Sequence, residues 1–314
     1  MHEPSHSREN VVELKSMTGL TAHGNCRRAP GLFTMPRMNT HDLQSTGAPR
    51  SPTDAVWRLG LLLAGCLALA GLQPLAGSAQ TVVRVAAYNI KHGRGMDDRV
   101  DLSRIAAVLR SLDADVITLQ EVDDRTERTG GVDQVEVLAD LLGYEGVHGP
   151  HRPYQGGFYG NAVLTRLPIQ RQRTHSIPPA SGSALTVHEV EVLLSDERLP
   201  SLSVVSVHLA GSDHERMAQA DSVTSYFAGR TTPVVLAGDF NGRPGSPVLT
   251  RLARDWTIVV KDGPPFTYPS DAPDREIDFV MLRSTDPIEI VSHRVVDEAV
   301  ASDHRPLIAE IRVR

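Results

Sequence analysis

The hydrophobic and polar positions of this chain change period repeatedly from residue 81 onward. Short runs that are apolar throughout, or that alternate between apolar and polar residues, predict β-strands. These runs lie at residues 82–90, 115–122, 161–165, 184–194, 202–209, 233–238, 276–282, 288–296 and 306–313. Alternation within 184–194 predicts that His188 faces solvent. The runs show no internal repeat.

Helical spacing of apolar residues separates several of these runs. Two amphipathic faces are formed by Leu102, Ile105, Leu109 and Leu112 after the cap Asp101, and by Val135, Leu138 and Leu141 before Gly143. Ser212 and Glu215 have the pattern of a capping box, and Ser246-Pro247 predicts the start of a short helix. Many strands with about four helices favour an α/β fold in which two sheets pack together with helices outside.

The first 79 residues differ in composition from the rest. Residues 1–57 are polar and lack apolar periodicity, so they predict a disordered leader or a stretch upstream of the true start. Residues 58–79 resemble a signal peptide that ends in a small-residue cleavage site, which predicts export of residues 80–314 to the periplasm or the medium. The alternatives are a membrane anchor, which the interrupting Gly and Pro residues disfavour, and a lipid attached to Cys66.

The composition of residues 80–314 narrows the function classes. Both cysteines lie upstream of residue 80, so the mature chain would contain no disulfide, thiolate nucleophile or cysteine-ligated zinc. The same segment holds 25 Lys and Arg against 33 Asp and Glu, a net charge of −8. This charge disfavours nucleic acid and anionic membranes as general partners.

Polar side chains with a common chemistry occur at the ends of the predicted strands. They are Asn89, Glu121, Asn161, His208, Asp239, Asn241, Asp278, Asp303 and His304. In the stretch VVLAGDFNGRPG, strand periodicity places Asp239 and Asn241 on one face, although an Asx turn explains the same two residues. Oxygen ligands suit Mg²⁺, Mn²⁺ or Ca²⁺, and imidazoles add proton transfer, which together favour chemistry at a phosphate ester.

The order of the motifs is more specific than any one of them. YNI, LQEV, YGNAVLTRLP, SVHL, GDFN, ID and SDHRP follow one another within residues 84–311. In this order they resemble the endonuclease/exonuclease/phosphatase (DNase I-like) superfamily, and the loops between them are similar to those of exported bacterial metal-dependent hydrolases. The resemblance implies a four-layer α/β/β/α sandwich of two packed mixed sheets, with helices outside and the site at one end.

The resemblance also implies a role for each strand-end residue. Glu121 would be the main ligand of Mg²⁺, or of Mn²⁺ or Ca²⁺, with Asn89 and Asp303 close to the ion. Asp239 would orient or deprotonate the attacking water. The remaining roles are phosphate binding by Asn241, phosphate contact and proton transfer by His304, orientation of His304 by Asp278, protonation of the leaving oxygen by His208, and completion of the polar rim by Asn161.

Loops beside these motifs supply candidate substrate contacts. Arg94, Arg152 and His92 could hold phosphate or sugar oxygens. The first hypothesis is a phosphoesterase acting on a phosphate mono- or diester of a sugar, an inositol or a lipid headgroup. The alternatives are a secreted endonuclease similar to DNase I, which the low aromatic content disfavours, and a non-catalytic exported binding module.

Overall fold

The computed structural model describes residues 81–286 and 288–313. The predicted leader, the predicted signal peptide and Cys66 all lie outside these residues. Within the described part of the chain, no helix is long and apolar enough to cross a membrane.

Twelve strands and four α-helices are present in the described residues. The strands are β1 (Val82–Asn89), β2 (Val116–Asp124), β3 (Glu145–Tyr154), β4 (Gly157–Thr165), β5 (Ile169–Ala180), β6 (Ser183–Asp196), β7 (Leu199–His208), β8 (Val234–Asp239), β9 (Thr257–Ile258), β10 (Asp278–Arg283), β11 (Ile288–Val295) and β12 (Leu307–Val313). The helices are α1 (Leu102–Leu112), α2 (Gln134–Leu142), α3 (Asp213–Tyr226) and α4 (Pro247–Leu252). Every strand and helix that the sequence predicts is among them.

The strands form two six-stranded mixed sheets. The first sheet has the order β11-β12-β1-β2-β4-β3, and the second has the order β5-β6-β7-β8-β10-β9. The pairs β1–β2 and β7–β8 are parallel, and all the other pairs are antiparallel. Parallel neighbours end at the same edge, so each sheet brings two carboxyl ends together near its centre.

Three apolar clusters define the layers. The first packs one sheet against α1 and α2 and includes Ile105, Leu109 and Leu138. The second packs the other sheet against α3 and α4 and includes Phe227 and Leu249. The third consists mainly of strand residues from both sheets and fills the space between them. The chain is therefore a four-layer α/β/β/α sandwich, which confirms the predicted fold.

Three strands were missed by the sequence patterns. All three lie at sheet edges: β3 in the first sheet, and β5 and β9 in the second. Gly and Pro interrupt β3, which pairs with β4 across a bulge between Pro150 and Arg152. Most side chains of β5 are exposed, and β9 spans only two residues. None of the three presents a continuous apolar or alternating run, so apolar periodicity alone does not detect them.

Two predicted side-chain positions were wrong. Leu141 is 42% exposed, because six residues of helix rotate it by about 120° from Val135, away from the buried face of α2. His188 is buried, with 2% of its surface exposed, and its Nδ1 lies 2.9 Å from Thr174 Oγ1. The ring occupies space left by Gly149, where a Cβ would collide with it.

Burial of this neutral histidine makes stability sensitive to acid. Burial lowers the pKa of His188 to about 4, from the usual 6.5 that applies to the unfolded chain. Above pH 6.5 the ring is neutral in both states. As the pH falls from 6.5 toward 4, the unfolded chain takes up the proton first, so stability is lost. We expect His188→Gln to reduce the loss of unfolding free energy between pH 7 and pH 5 by about 2 kcal/mol.

Urea unfolding of wild type and variant at the two pH values measures this difference. His214→Gln, at an exposed position on α3, is the matched control and should lose as much stability as the wild type. An equal loss in wild type and His188→Gln would contradict the assignment of acid sensitivity to His188.

Candidate active site at one end of the paired sheets

Side chains from both sheets meet at one end of the sandwich. β1 ends at Asn89, β7 at His208 and β8 at Asp239. Asp278 opens β10 directly opposite Asp239. Asn89 Nδ2 donates to Asp239 Oδ2 at 3.3 Å, so a hydrogen bond connects the first sheet to the second. Strand ends that are far apart in sequence therefore form one buried polar cluster.

Glu121 is aimed by a local distortion of β2. The register with β4 shifts between Leu119 and Val122, and Glu121 has a left-handed backbone with φ of 58°. This conformation costs a non-glycine residue about 1 kcal/mol or more, and bulges redirect side chains beside active sites. Glu121 Oε1 accepts a hydrogen bond from Asn89 Nδ2 at 3.2 Å, which brings the carboxylate to the end of β1.

Asp239 is a buried carboxylate between two imidazoles. Its Oδ2 lies 3.7 Å from His208 Nε2 and 3.8 Å from His304 Nε2. Burial, followed by the neighbouring carboxylate of Asp278, raises the pKa of Asp239 to about 6. A carboxyl group with a pKa near neutrality is suited to accept and release a proton.

Asn241 is placed by a turn and not by the pleat of a strand. β8 ends at Asp239, so the expectation that strand periodicity aligns the two residues was wrong. The backbone of Asn241 is left-handed, with φ of 48°, and its N–H donates to Asp239 Oδ1 at 2.8 Å. Its Nδ2 donates to the carbonyl of Leu209 at 2.9 Å. This Asx turn holds the side-chain amide of Asn241 beside the carboxylate of Asp239.

His304 and Asp278 form a buried pair. Their Nδ1 and Oδ2 atoms are 2.9 Å apart, and Thr267 Oγ1 donates to the same Oδ2 at 2.5 Å. The ring of Tyr268 lies 4.9 Å from that of His304. Burial alone disfavours the charged imidazole, but the surrounding carboxylates, chiefly Asp278, outweigh it and raise the pKa of His304 to about 10. The ring is therefore protonated at neutral pH and carries its second proton on Nε2.

Two buried polar atoms of the predicted strand-end residues have no partner among the described residues. They are Nδ1 of His208 and Oδ1 of Asn161. The other amide atom of Asn161, Nδ2, donates to the carbonyl of Ser206 at 3.1 Å. An unpaired buried polar atom is destabilising, so both atoms are suited to contact a ligand or water.

Asp303 is paired with a residue to which the sequence patterns assigned no role. Lys91 Nζ lies 2.9 Å from Asp303 Oδ2. Lys91 follows β1 with a left-handed backbone, and its N–H donates to Asn89 Oδ1 at 3.1 Å. Lys91 therefore contacts both Asn89 and Asp303. Its ammonium group provides a positive charge beside the carboxylate of Asp303.

Two groups of donors are candidates for holding a divalent cation. One consists of Asp239, Asp278 and His304, whose ligand atoms lie within 4.8 Å of one another. The other is the predicted set of Glu121, Asn89 and Asp303. The protonated ring of His304 repels a cation, which makes the first group less suitable. The second group offers only oxygen ligands, and Glu121 and Asp303 are partly open to solvent, as suits an ion such as Mg²⁺ that keeps several waters.

Of the predicted substrate contacts, Arg94 is paired with a nearby carboxylate, whereas His92 has a ring nitrogen without a partner. Arg94 lies 2.8 Å from Asp98 and is half-exposed, and no hydrogen bond or ion pair within the described residues ties it to the strand-end carboxylates. His92 has a buried Nδ1 without a partner. Burial and the nearby Arg128 guanidinium lower the pKa of His92, so its ring is neutral at pH 7.

Arg152, the third predicted contact, belongs to a stack of rings and guanidinium groups. Its Cζ lies 5.4 Å from the ring centre of Tyr154 and 5.0 Å from that of Tyr159, and Arg128 lies 4.7 and 5.5 Å from the same two centres. Arg128 donates two hydrogen bonds of 2.7 Å to buried Asp123, whereas Arg152 has no carboxylate partner in the described part of the chain. We call Arg128, Arg152, Tyr154 and Tyr159 the Arg–Tyr stack.

Sequence reasoning missed Tyr159, Thr267 and Tyr268. Tyr159 belongs to the YGN motif, and burial together with the nearby carboxylate of Glu121 raises its pKa well above the usual range. Its aromatic ring inside a motif was the available signal. Thr267 and Tyr268 lie in a loop without apolar periodicity and reach the site only through contacts with the buried Asp278–His304 pair.

A family model matches most of the described chain. The model of the Endonuclease/Exonuclease/phosphatase family aligns with residues 86–304. This span begins inside β1 and ends at His304, so it includes every strand-end residue discussed above.

Similar proteins align with about three quarters of the chain. The uncharacterized protein YbhP of Escherichia coli K12 is 26% identical over 248 residues, which cover 73% of this chain and 96% of that protein. An endonuclease/exonuclease/phosphatase from Beutenbergia cavernae has a TM-score of 0.58 and 23% identity, with 74% of this chain and 72% of that chain covered. The corresponding protein from Bacteroides vulgatus has a TM-score of 0.62 and 17% identity, with 74% and 100% covered.

Proposed function

Because the chain belongs to the Endonuclease/Exonuclease/phosphatase family, we propose that it is a divalent-metal-dependent phosphoesterase. Members of this family are typically metal-dependent hydrolases that act on phosphodiester bonds. The proposed reaction is hydrolysis of a phosphate mono- or diester by in-line attack of water on phosphorus. The observation that carries the proposal is the position of buried Asp239 beside both His208 and protonated His304.

In this proposal, Glu121, Asn89 and Asp303 hold the metal. Mg²⁺ is the first candidate, and Mn²⁺ and Ca²⁺ are the alternatives. When bound, the ion would withdraw negative charge from the phosphate oxygens.

The proton movements are assigned to the residues around Asp239. Asp239 takes a proton from the attacking water, since a pKa of about 6 leaves it mostly ionised at pH 7. His304 donates from Nε2 to a phosphate oxygen, and Asp278 fixes the orientation of the ring. His208, on the other side of Asp239, protonates the leaving oxygen.

The two amides have different parts in the proposal. The amide of Asn241 contacts the phosphate, for which the Asx turn with Asp239 positions it. The free atom of Asn161 is a carbonyl oxygen, because its Nδ2 already donates to Ser206. An acceptor suits a substrate hydroxyl or a water better than a phosphate oxygen.

Replacement of Glu121 by Gln is expected to weaken activation by metal. Loss of one carboxylate charge should raise the Mg²⁺ concentration for half-maximal rate by more than about tenfold. Titration of initial rates with Mg²⁺ measures this shift, and Glu145→Gln, at an exposed position on β3, is the matched control. An unchanged activation curve for Glu121→Gln would remove Glu121 from the metal site.

The proposed substrate is a sugar-phosphate, an inositol-phosphate or a lipid-headgroup ester. The net charge of −8 for residues 80–314 disfavours a long polyanion. Arg152, which has no carboxylate partner among the described residues, is proposed to bind an anionic or hydroxyl group of such an ester, with His92 contributing its unpaired Nδ1. Arg94 is the weakest of the three assignments, because Asp98 already neutralises it.

A secreted nuclease similar to DNase I is the second candidate. The Arg–Tyr stack favours it, since aromatic rings interleaved with guanidinium groups are a platform for nucleic-acid bases. The acidic composition opposes it.

Initial rates on four substrates decide among these functions. The substrates are a phosphomonoester, a small phosphodiester, a phospholipid and plasmid DNA, each with Mg²⁺, with Mn²⁺ and with a chelator. Metal-dependent cleavage of a small ester or of the phospholipid, with DNA intact, supports the first proposal. Preferential nicking of DNA supports the nuclease, and no turnover of any substrate supports a non-catalytic binding module.

Export is proposed from residues 58–79. Mass spectrometry of the protein recovered from the periplasm or the medium tests it, and an amino terminus other than Gln80 would contradict the predicted cleavage site.

A further inference from the structure

An open cavity of about 550 Å³ lies between α4 and the chain that follows β9. We call it the rear cavity. Its walls include Leu249 of α4, Ala253 directly after α4, Ile258 of β9 and Phe279 of β10. Small-molecule sites in proteins have volumes of this order and walls that are mainly apolar. The rear cavity is not part of the site described above.

The rear cavity and the candidate site share a stretch of chain, residues 259–268. The beginning of this stretch, including Lys261, lines the cavity. At its far end, Thr267 donates to the carboxylate of Asp278. Phe279, the residue after Asp278, forms another part of the cavity wall. A group bound in the rear cavity would therefore contact Phe279, the residue next to Asp278, and Asp278 orients His304.

The charged groups of the rear cavity are already paired. Lys261 Nζ lies 2.6 Å from Glu276 Oε1, donates to the carbonyl oxygen of Asp278 at 2.9 Å and lies 4.2 Å from the ring centre of Phe279. The Lys261 side chain is fully buried. A charged ligand would have to displace one of these partners, whereas an uncharged apolar group would not.

The rim of the rear cavity exposes apolar side chains. Val260, which lines the cavity, is 84% exposed, the largest value among the large hydrophobic residues of the described chain. Phe266 follows the lining residue Pro265 and is 42% exposed. Exposed apolar groups beside an apolar cavity are a typical mark of a ligand site. An apolar chain that enters the cavity would remove them from water.

We propose that the rear cavity binds an uncharged alkyl or acyl chain of the substrate. This inference rests on the proposed phosphoesterase function and specifies the substrate class as an amphiphilic phosphate ester. The phosphate would lie at the strand ends and the chain would extend past residues 259–268 into the cavity. Binding of the chain lowers KM, because burial of apolar surface contributes equally before and during the reaction.

Two phosphodiesters with the same leaving group test this directly. Methyl and octyl para-nitrophenyl phosphate differ only in the apolar group, and KM for the octyl ester should be lower by at least about tenfold, the effect of burying only about two of its seven additional methylene groups. Ala253→Phe fills the cavity, so the ratio of the two KM values should fall to about one. Ala107→Phe, at an exposed alanine on α1 that lines a different cavity, is the matched control and should keep the wild-type ratio.

A binding measurement separates this inference from the proposed function. Fluorescence of the uncharged dye N-phenylnaphthylamine should rise with wild type and Ala107→Phe, and much less with Ala253→Phe. If neither ester is hydrolysed, the proposed function fails. The dye measurement then tests by itself whether the rear cavity binds an apolar group. Equal KM values for the two esters in wild type, or equal dye binding by all three proteins, would overturn the inference.

Discussion

Replacement of Asp239 by Asn should lower kcat by about three orders of magnitude, within the range that general bases contribute. The variant keeps the size of the side chain but cannot accept a proton from water. In the wild type, kcat should fall as the pH drops through about 6, where the buried carboxyl group becomes protonated. Initial rates at saturating Mg²⁺ and substrate measure both effects.

The melting temperature of Asp239→Asn distinguishes the expected loss of kcat from misfolding. The folded chain raises the pKa of Asp239 from its usual 3.8 to about 6, so at pH 7 the ionised carboxylate is less favourable in the folded than in the unfolded chain. Asn removes that cost, and the melting temperature of Asp239→Asn should equal or exceed that of the wild type. Asp140→Asn, at an exposed position on α2, is the control for activity. Full activity in Asp239→Asn would rule out Asp239 as the base.

Replacement of His304 by Gln should lower kcat by about a hundredfold, because a neutral donor replaces the charged donor to a transition-state oxygen. The wild-type ring is protonated at neutral pH because Asp278 and its neighbours raise the pKa of His304 to about 10. Gln retains a donor but not the positive charge. A kcat for His304→Gln within about threefold of wild type would contradict the role of a charged donor.

Replacement of Asp278 by Asn tests the origin of that charge. Without the carboxylate, the pKa of His304 should fall, so the ring loses its proton at a lower pH. The decline of kcat with rising pH should therefore begin more than one pH unit lower than in wild type. Thr267→Val removes the hydroxyl that donates to Asp278 but keeps the carboxylate, so its pH profile should move much less. Identical profiles for Asp278→Asn and wild type would show that Asp278 does not set the protonation of His304.

The fold and the positions of several polar strand-end residues could be predicted from the sequence, because strand periodicity indicates where the strands end. Asn89, His208 and Asp239 end strands with strongly apolar interiors, and parallel neighbours end at the same edge. β3, β5 and β9 carry no such pattern, because Gly and Pro interrupt β3, most of β5 is exposed and β9 has only two residues.

Features that depend on a few backbone torsions or on loop contacts could not be predicted. Glu121 has a left-handed backbone, which no local pattern of its sequence dictates. Lys91 reaches Asp303, and Thr267 reaches Asp278, through loops whose paths are fixed only by the assembled sandwich. Residue types therefore indicate the chemistry of the proposed site, whereas the partners of those residues become visible only in the folded chain.

The most direct test of the central claim is the rate of hydrolysis of a simple phosphodiester, bis(para-nitrophenyl) phosphate, by chelator-treated protein titrated with Mg²⁺. We expect no hydrolysis before addition of the ion, a saturable rise in rate with Mg²⁺ for the wild type, and no comparable rise for Asp239→Asn. A rate that is unaffected by the chelator, or an equal rise in wild type and Asp239→Asn, would contradict a metal-dependent phosphoesterase centred on Asp239.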